Sequence, residues 1–125
     1  AKTTLKVNKN LAEDVKSIFK EIFEGEERFP IKSCGGYSWR ESASGRMSQH
    51  SYGTCIDINP NENYYISAGG EILSGSLWQP YENPYSIPAE SEVVKIFEKY
   101  GFAWGATAWG EGRAKDYMHF TYLGN

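Results

Sequence analysis

The chain has 125 residues and carries 13 Lys and Arg against 16 Asp and Glu, a formal charge of −3. An acidic balance of this kind excludes nucleic acid as the main partner, because neutralising phosphates needs a basic patch. No apolar run approaches about 18 residues, which excludes a membrane-spanning helix. With 40% hydrophobic residues and 15% aromatics, nine Tyr and four Trp among them, the chain reads as a single globular domain over 1–125. A domain of that size buries enough surface for a core without staples, and its unremarkable surface makes a monomer the default. The first residues, Ala1-Lys2-Thr3-Thr4, hold no apolar signal-peptide core, so a mature or excised domain is the expectation. Two cysteines, Cys34 and Cys55, do not make a disulfide framework; free thiols are the expectation, with a Cys34–Cys55 bridge the alternative if their strands are neighbours.

In chain order, Lys2 to Val7 alternates loosely as a first strand. Asn10 is placed to cap a helix, with Glu13 three residues on. Leu11, Val15, Ile18 and Ile22, with Phe19 and Phe23, fall on one helical face, and Gly25 ends the helix. Phe29 to Cys34 reads as a strand, broken by Gly35-Gly36. Tyr37 to Met47 is a polar loop carrying Arg40 and Arg46. From Gly53 to Asn59 the pattern alternates, with Ile56 and Ile58 on the core face and Cys55, Asp57 and Asn59 on the other. Tyr64 to Ile66 and Glu71 to Leu73 flank Ser67-Ala68-Gly69-Gly70 as a hairpin. Trp78 to Pro88 is an extended proline- and tyrosine-bearing segment. Ala89 to Tyr100 is a second helix closed by Gly101, Trp104 to Gly110 a Gly/Trp-rich loop, and Tyr117 to Tyr122 the last strand. Short β connections dominate this order, which predicts an α+β fold with a mainly antiparallel sheet flanked by helices.

The two histidines, His50 and His119, each have a carboxylate close in sequence. Zinc in hydrolases keeps three protein ligands from His and carboxylate plus one water, and His50, Asp57 and His119 supply that set. Gly53 allows a turn that folds His50 back over the strand bearing Asp57. On the last strand His119 shares a face with Thr121, opposite Met118 and Phe120, so His119 and Asp57 would face the same cleft. Asp116, three residues before His119, would point to the opposite face of a regular strand. It reaches the cleft only from a bend before the strand, where it would orient a ligand or act as a general base. Each residue also has an ordinary reading: an exposed loop His50, a half-buried His119, turn-capping Asp57 and Asp116. Arg40 and Arg46 are either solvated loop charges or a clamp for a carboxylate or oxyanion. Trp104, Trp109 and Tyr52 are groove walls or loop packing.

Ser48-x-His50-x-x-Gly53-x-x-x-Asp57 resembles the S-x-H-x-x-G-x-A-x-D signature of the zinc D-alanyl-D-alanine carboxypeptidases. Asp116-x-x-His119-Phe120 resembles the closing D/E-x-x-H-F element of the same family. The wider group contains the vancomycin-resistance dipeptidases, the hedgehog N-terminal domain and phage L-alanyl-D-glutamate endopeptidases. The Asp of the closing element and the Trp-Gly run before it are most similar to the VanY-like and phage branch. The resemblance runs from about Phe29 to Tyr122. It implies a hedgehog/DD-peptidase-like α+β fold, one zinc ion on His50, Asp57 and His119, and Asp116 as catalytic base. It also implies a site arginine in a Gly-Tyr-x-x-Arg context, which Gly36-Tyr37-Ser38-Trp39-Arg40 fits, so Arg40 is preferred over Arg46. Cys55 departs from the family's usual Ala.

Together these readings predict a zinc peptidase acting on the peptidoglycan stem peptide, outside the cell or in the wall. It would be either a D-Ala-D-Ala carboxypeptidase or an L-Ala-D-Glu endopeptidase. Ser48, Tyr52 and Trp109 are the candidate substrate contacts. The rival readings are a zinc-retaining module that works by binding alone, and an aromatic domain that binds wall glycan without zinc.

Overall fold

The computed structural model describes residues 11–35 and 55–122. The predicted first strand, the Asn10 cap and the loop and turn bearing Arg40, Arg46, Ser48, His50 and Tyr52 lie outside the described residues.

Helix α1 spans Ala12–Glu24 and buries Val15, Ile18 and Ile22, with Leu11 buried at its start. Steps of four, three and four residues keep these side chains on one stripe. Phe19 lies at the edge of the stripe and meets Phe97 edge-on at 6.4 Å. Phe23 does not join the core: it is 82% exposed. One turn beyond Phe19, it falls off the end of the packed face. The cap position is held by Leu11 without a side-chain hydrogen bond, one residue later than the predicted Asn10. Gly25 ends the helix as expected, with extended backbone (φ −72°). A Cβ there would lie 1.9 Å from the Glu92 carboxylate, whose Oε2 accepts the Glu26 N–H at 3.1 Å.

Helix α2, Glu92–Lys99, is shorter than the predicted 89–100 and buries Val93, Val94, Ile96 and Phe97. Gly101, at φ +88°, follows its end as predicted. The Glu21 carboxylate on α1 accepts hydrogen bonds from Lys99 and Tyr100, joining the two helices.

The helices pack on a four-stranded antiparallel sheet ordered β1-β2-β7-β5, where β1 is Cys34–Gly35, β2 Cys55–Ile58, β5 Phe102–Trp104 and β7 His119–Tyr122. The core face carries Ile56, Ile58, Phe102, Trp104 and Phe120, and Phe97 of α2 stacks on Phe120 at 4.0 Å. The predicted strand over 29–34 shrinks to Cys34–Gly35. Its backbone N–H groups at Lys32 and Ser33 donate instead to Asn59 Oδ1, at 2.6 and 3.1 Å. β5 was expected to be loop from Trp104 onward; its three residues alternate buried, intermediate, buried. Cys34 and Cys55 are both free thiols, and burial pushes the Cys34 thiol pKa up.

A second antiparallel sheet, ordered β4-β3-β6, joins β3 (Tyr65–Ile66), β4 (Ile72–Ser74) and β6 (Lys115–Asp116). β3 and β4 form the predicted hairpin. Between the sheets a 3₁₀ turn, Pro60–Glu62, is braced by two fully buried asparagines. Asn59, in a left-handed conformation, also donates to the carbonyls of Pro30 and Tyr85. Asn63 donates to the carbonyls of Asn59 and Tyr85 and accepts the Ile87 N–H at 2.6 Å. Asparagine is the residue type that tolerates left-handed backbone and offers both a donor and an acceptor. Among the described residues no helix is long and apolar enough to cross a membrane.

Candidate active site

On the face of the four-stranded sheet away from the helices, β2 and β7 place Asp57 directly opposite His119. The alternation that sends Ile56, Ile58 and Phe120 into the core sends these two side chains to the same opposite face. His119 Nδ1 lies 3.1 Å from Asp57 Oδ1, with the side chains only 10% and 16% exposed. Cross-strand partners at this spacing need no loop to bring them together, so the pair is as rigid as the sheet.

Asp116 approaches the same ring nitrogen, with Oδ2 at 3.9 Å from His119 Nδ1. It does so from β6, where it pairs with Tyr65, and the turn Tyr117-Met118 separates it from β7. The last strand therefore begins at His119, two residues later than predicted, and Asp116 stands off it as expected. The bend expected to carry Asp116 is itself a short strand of the second sheet.

The turn between the two residues is fixed by its backbone on every side. The Asp116 N–H donates to Gly105 O at 3.1 Å, and the Gly105 N–H donates to His119 O at 2.7 Å. The Tyr117 N–H donates to Tyr64 O and the Ile58 N–H to Met118 O, at 3.1 and 2.8 Å. Trp104 Nε1 donates to Tyr117 O at 2.7 Å. The Tyr117 ring stacks on Trp78 at 3.9 Å and meets Trp104 edge-on at 5.7 Å. Each aromatic pair adds about 0.5–1.5 kcal/mol beyond its burial, so the turn is anchored in the packing as well as the hydrogen bonds. Burial raises the Tyr117 phenol pKa, with the neighbouring Tyr64 as a smaller cause.

Gly105 sits at the centre of this arrangement. A Cβ on it would lie 2.4 Å from Asp116 O, 3.0 Å from Asp116 Cβ and 3.1 Å from His119 Cβ. The close approach of the chain after β5 to both residues requires glycine. The Gly/Trp-rich composition of 104–110 marked this loop, yet no local pattern pointed to Gly105 as the contact.

Trp109, an expected substrate contact, lies beside His119 with ring centroids 6.3 Å apart and remains 42% exposed. Its other neighbour is Tyr65, at 6.4 Å. Trp104, also weighed as a groove wall, is instead core at 1% exposed. Cys55 pairs with Thr121, two residues along β2 from Asp57, and is fully buried.

Among the described residues no group of three or more His, Cys, Asp and Glu side chains is arranged to hold a metal ion. Of the expected set, Asp57 and His119 come together and His50 lies outside the described residues. The two donors present suit zinc: an imidazole nitrogen and a carboxylate oxygen 3.1 Å apart approach the edge of about 3.4 Å in a tetrahedron with metal–ligand bonds of about 2.1 Å. Asp116 stands farther from the ring nitrogen, at 3.9 Å.

A family model described as D-alanyl-D-alanine carboxypeptidase matches residues 42–122. The matched span holds His50, Asp57, Trp109, Asp116 and His119; it starts after Arg40, later than the resemblance read from about Phe29. No curated protein and no solved structure matches the chain. With more than half of its length matched, including every expected ligand and the expected base, the chain belongs to the D-alanyl-D-alanine carboxypeptidase family, a family of cell-wall peptidases.

Proposed function

We propose that this chain is a zinc-dependent peptidase of the peptidoglycan stem peptide, acting as a monomer outside the cell or in the wall. Its reaction is that of a D-Ala-D-Ala carboxypeptidase or an L-Ala-D-Glu endopeptidase. The observation that carries the reading is the convergence of Asp57 and Asp116 on one ring nitrogen of His119, within the matched span. A binding module needs the ligand pair but has no use for a second carboxylate held there by a braced turn.

In this reading His50, Asp57 and His119 hold the zinc ion. Bound there, the ion supplies Lewis-acid chemistry, activating water and polarising the scissile carbonyl. Asp116 accepts the proton of the attacking water as the new C–O bond forms. It then returns that proton to the amine nitrogen as the C–N bond breaks, so one carboxylate serves both steps. Gly105 and Tyr117 keep Asp116 at its distance from His119 through the bonds described above. Arg40 is assigned to the substrate oxyanion or to a substrate carboxylate. Trp109 walls the site, and Ser48 and Tyr52 complete the substrate contacts.

The Asp116→Ala variant tests the assignment. It should retain zinc while its hydrolysis rate falls by about 10²–10⁴-fold, the span usual for a general base. His119→Ala should instead lose zinc on dialysis. An Asp116→Ala protein hydrolysing at the wild-type rate would remove the base from the mechanism.

A further inference from the structure

A shallow cavity of about 260 Å³ opens beside the site, lined by Tyr65, Trp109, Arg113 and Ala114. Two of its walls are tied to the reacting residues. Trp109 faces the His119 ring, and Tyr65 is the strand partner of Asp116. The Trp109 wall stands 6.3 Å from the His119 ring, a span of about two residues of extended chain at roughly 3.4 Å each.

The charges around it are uneven. The chain is acidic overall, and the site itself presents the carboxylates of Asp57 and Asp116. Lys115, next to Ala114 in sequence, is engaged, its Nζ donating to Ala106 O at 3.0 Å. Arg113 lines the cavity, is exposed, and makes no hydrogen bond or ion pair among the described residues. Guanidinium offers a planar fork of donors that matches a carboxylate, and the rings of Tyr65 and Trp109 give the carbon chain of a peptide an apolar wall.

We propose that this cavity is a substrate subsite that selects a free peptide carboxylate beside the scissile bond, with Arg113 as the specificity-determining residue. The inference rests on the peptidase reading and adds to it a preference among peptides. The carboxylate has two sources in a stem peptide, the chain terminus and the α-carboxylate left free by a γ-linked D-Glu.

The probes are L-Ala-γ-D-Glu-L-Lys-D-Ala-D-Ala, its C-terminal amide, and its D-isoglutamine analogue. Binding is measured by calorimetry on the Asp116→Asn protein with and without Arg113→Gln or Arg113→Lys, and kcat and KM on the chain with Asp116 intact. One of the two amides should bind about 10- to 100-fold more weakly than the parent, as expected for loss of a charged hydrogen-bonding partner. Arg113→Gln should erase that preference by weakening the parent alone, in KM more than kcat, and Arg113→Lys should restore part of it. The weakened amide names the carboxylate source. Equal binding of all three peptides, or a preference that survives Arg113→Gln, overturns the subsite. Absence of cleavage by the zinc-loaded wild type overturns the peptidase reading, and the binding comparison still decides the subsite.

Discussion

Replacing Gly105 with alanine is the sharpest perturbation that leaves every expected ligand and the expected base in place. The new Cβ would lie 2.4 Å from the Asp116 carbonyl oxygen, so Asp116 or the β5 end must retreat by about 1 Å to reach ordinary contact at 3.4 Å. The obstacles are the Asp116 carbonyl oxygen and the Cβ atoms of Asp116 and His119, none of them the end of a flexible side chain, and the hydrogen bonds Gly105 N–H to His119 O and Asp116 N–H to Gly105 O resist the shift. Overpacking of this kind costs about 1–3 kcal/mol. For a domain of this length each kcal/mol lowers Tm by roughly 3–5 °C, so a fall of about 3–15 °C is expected. A displacement of about 1 Å in a positioned reacting group costs on the order of 10²-fold in rate. Thermal unfolding by circular dichroism and steady-state hydrolysis at a temperature where the variant is folded read the two effects separately. A variant with Tm within about 1 °C of wild type and a rate within about twofold would refute the claim that Gly105 holds Asp116 and His119 in place.

Three further outcomes follow from the same structure. Asn59→Ala removes an acceptor for two backbone N–H groups and leaves a non-glycine at φ +45°, so it should destabilise by about 3 kcal/mol or more in urea unfolding. Asn59→Gly should recover the backbone share alone, and a neutral Asn59→Ala would show the brace to be dispensable. For Glu62, burial raises the carboxyl pKa, but hydrogen bonds from Asn61 and from Lys32 outweigh it and hold the pKa below the ordinary carboxylate value. A folded pKa depressed in this way gives stability that is full above the unfolded value of about 4.3 and is lost as pH falls through the folded one. Glu62→Gln should therefore flatten the acid limb of the stability profile, and an unchanged limb would contradict the pairing. Phe23→Ser, at a side chain 82% exposed, should change stability by no more than about 0.5 kcal/mol; a loss well above that would mean the side chain is covered in solution.

The parts legible in the sequence were those governed by a local period. The Val15-Ile18-Ile22 stripe and the alternation through Cys55–Ile58 and His119–Tyr122 follow from helix and strand geometry alone. For the same reason the Asp57–His119 pair was readable before the fold was known. Asp116 was placed off the last strand by parity, but its pairing with Tyr65 is a non-local contact that no local pattern carries. The strand expected at Phe29 to Cys34 failed because Asn59 takes backbone donors there, a competition between segments far apart in sequence. β5 was missed because three alternating residues before a Gly/Trp-rich run are too few to show a period. Gly105 was invisible in its role, because a glycine required by close approach looks like any loop glycine until the approaching chain is in place.

Whether this chain cleaves the stem peptide is decided by digesting purified peptidoglycan with the zinc-loaded protein and identifying the new termini by mass spectrometry. Digestion should release D-Ala or create a new D-Glu amino terminus, an effect abolished by chelation and restored by zinc. A folded, zinc-loaded chain that leaves the stem peptides intact would contradict the peptidase reading.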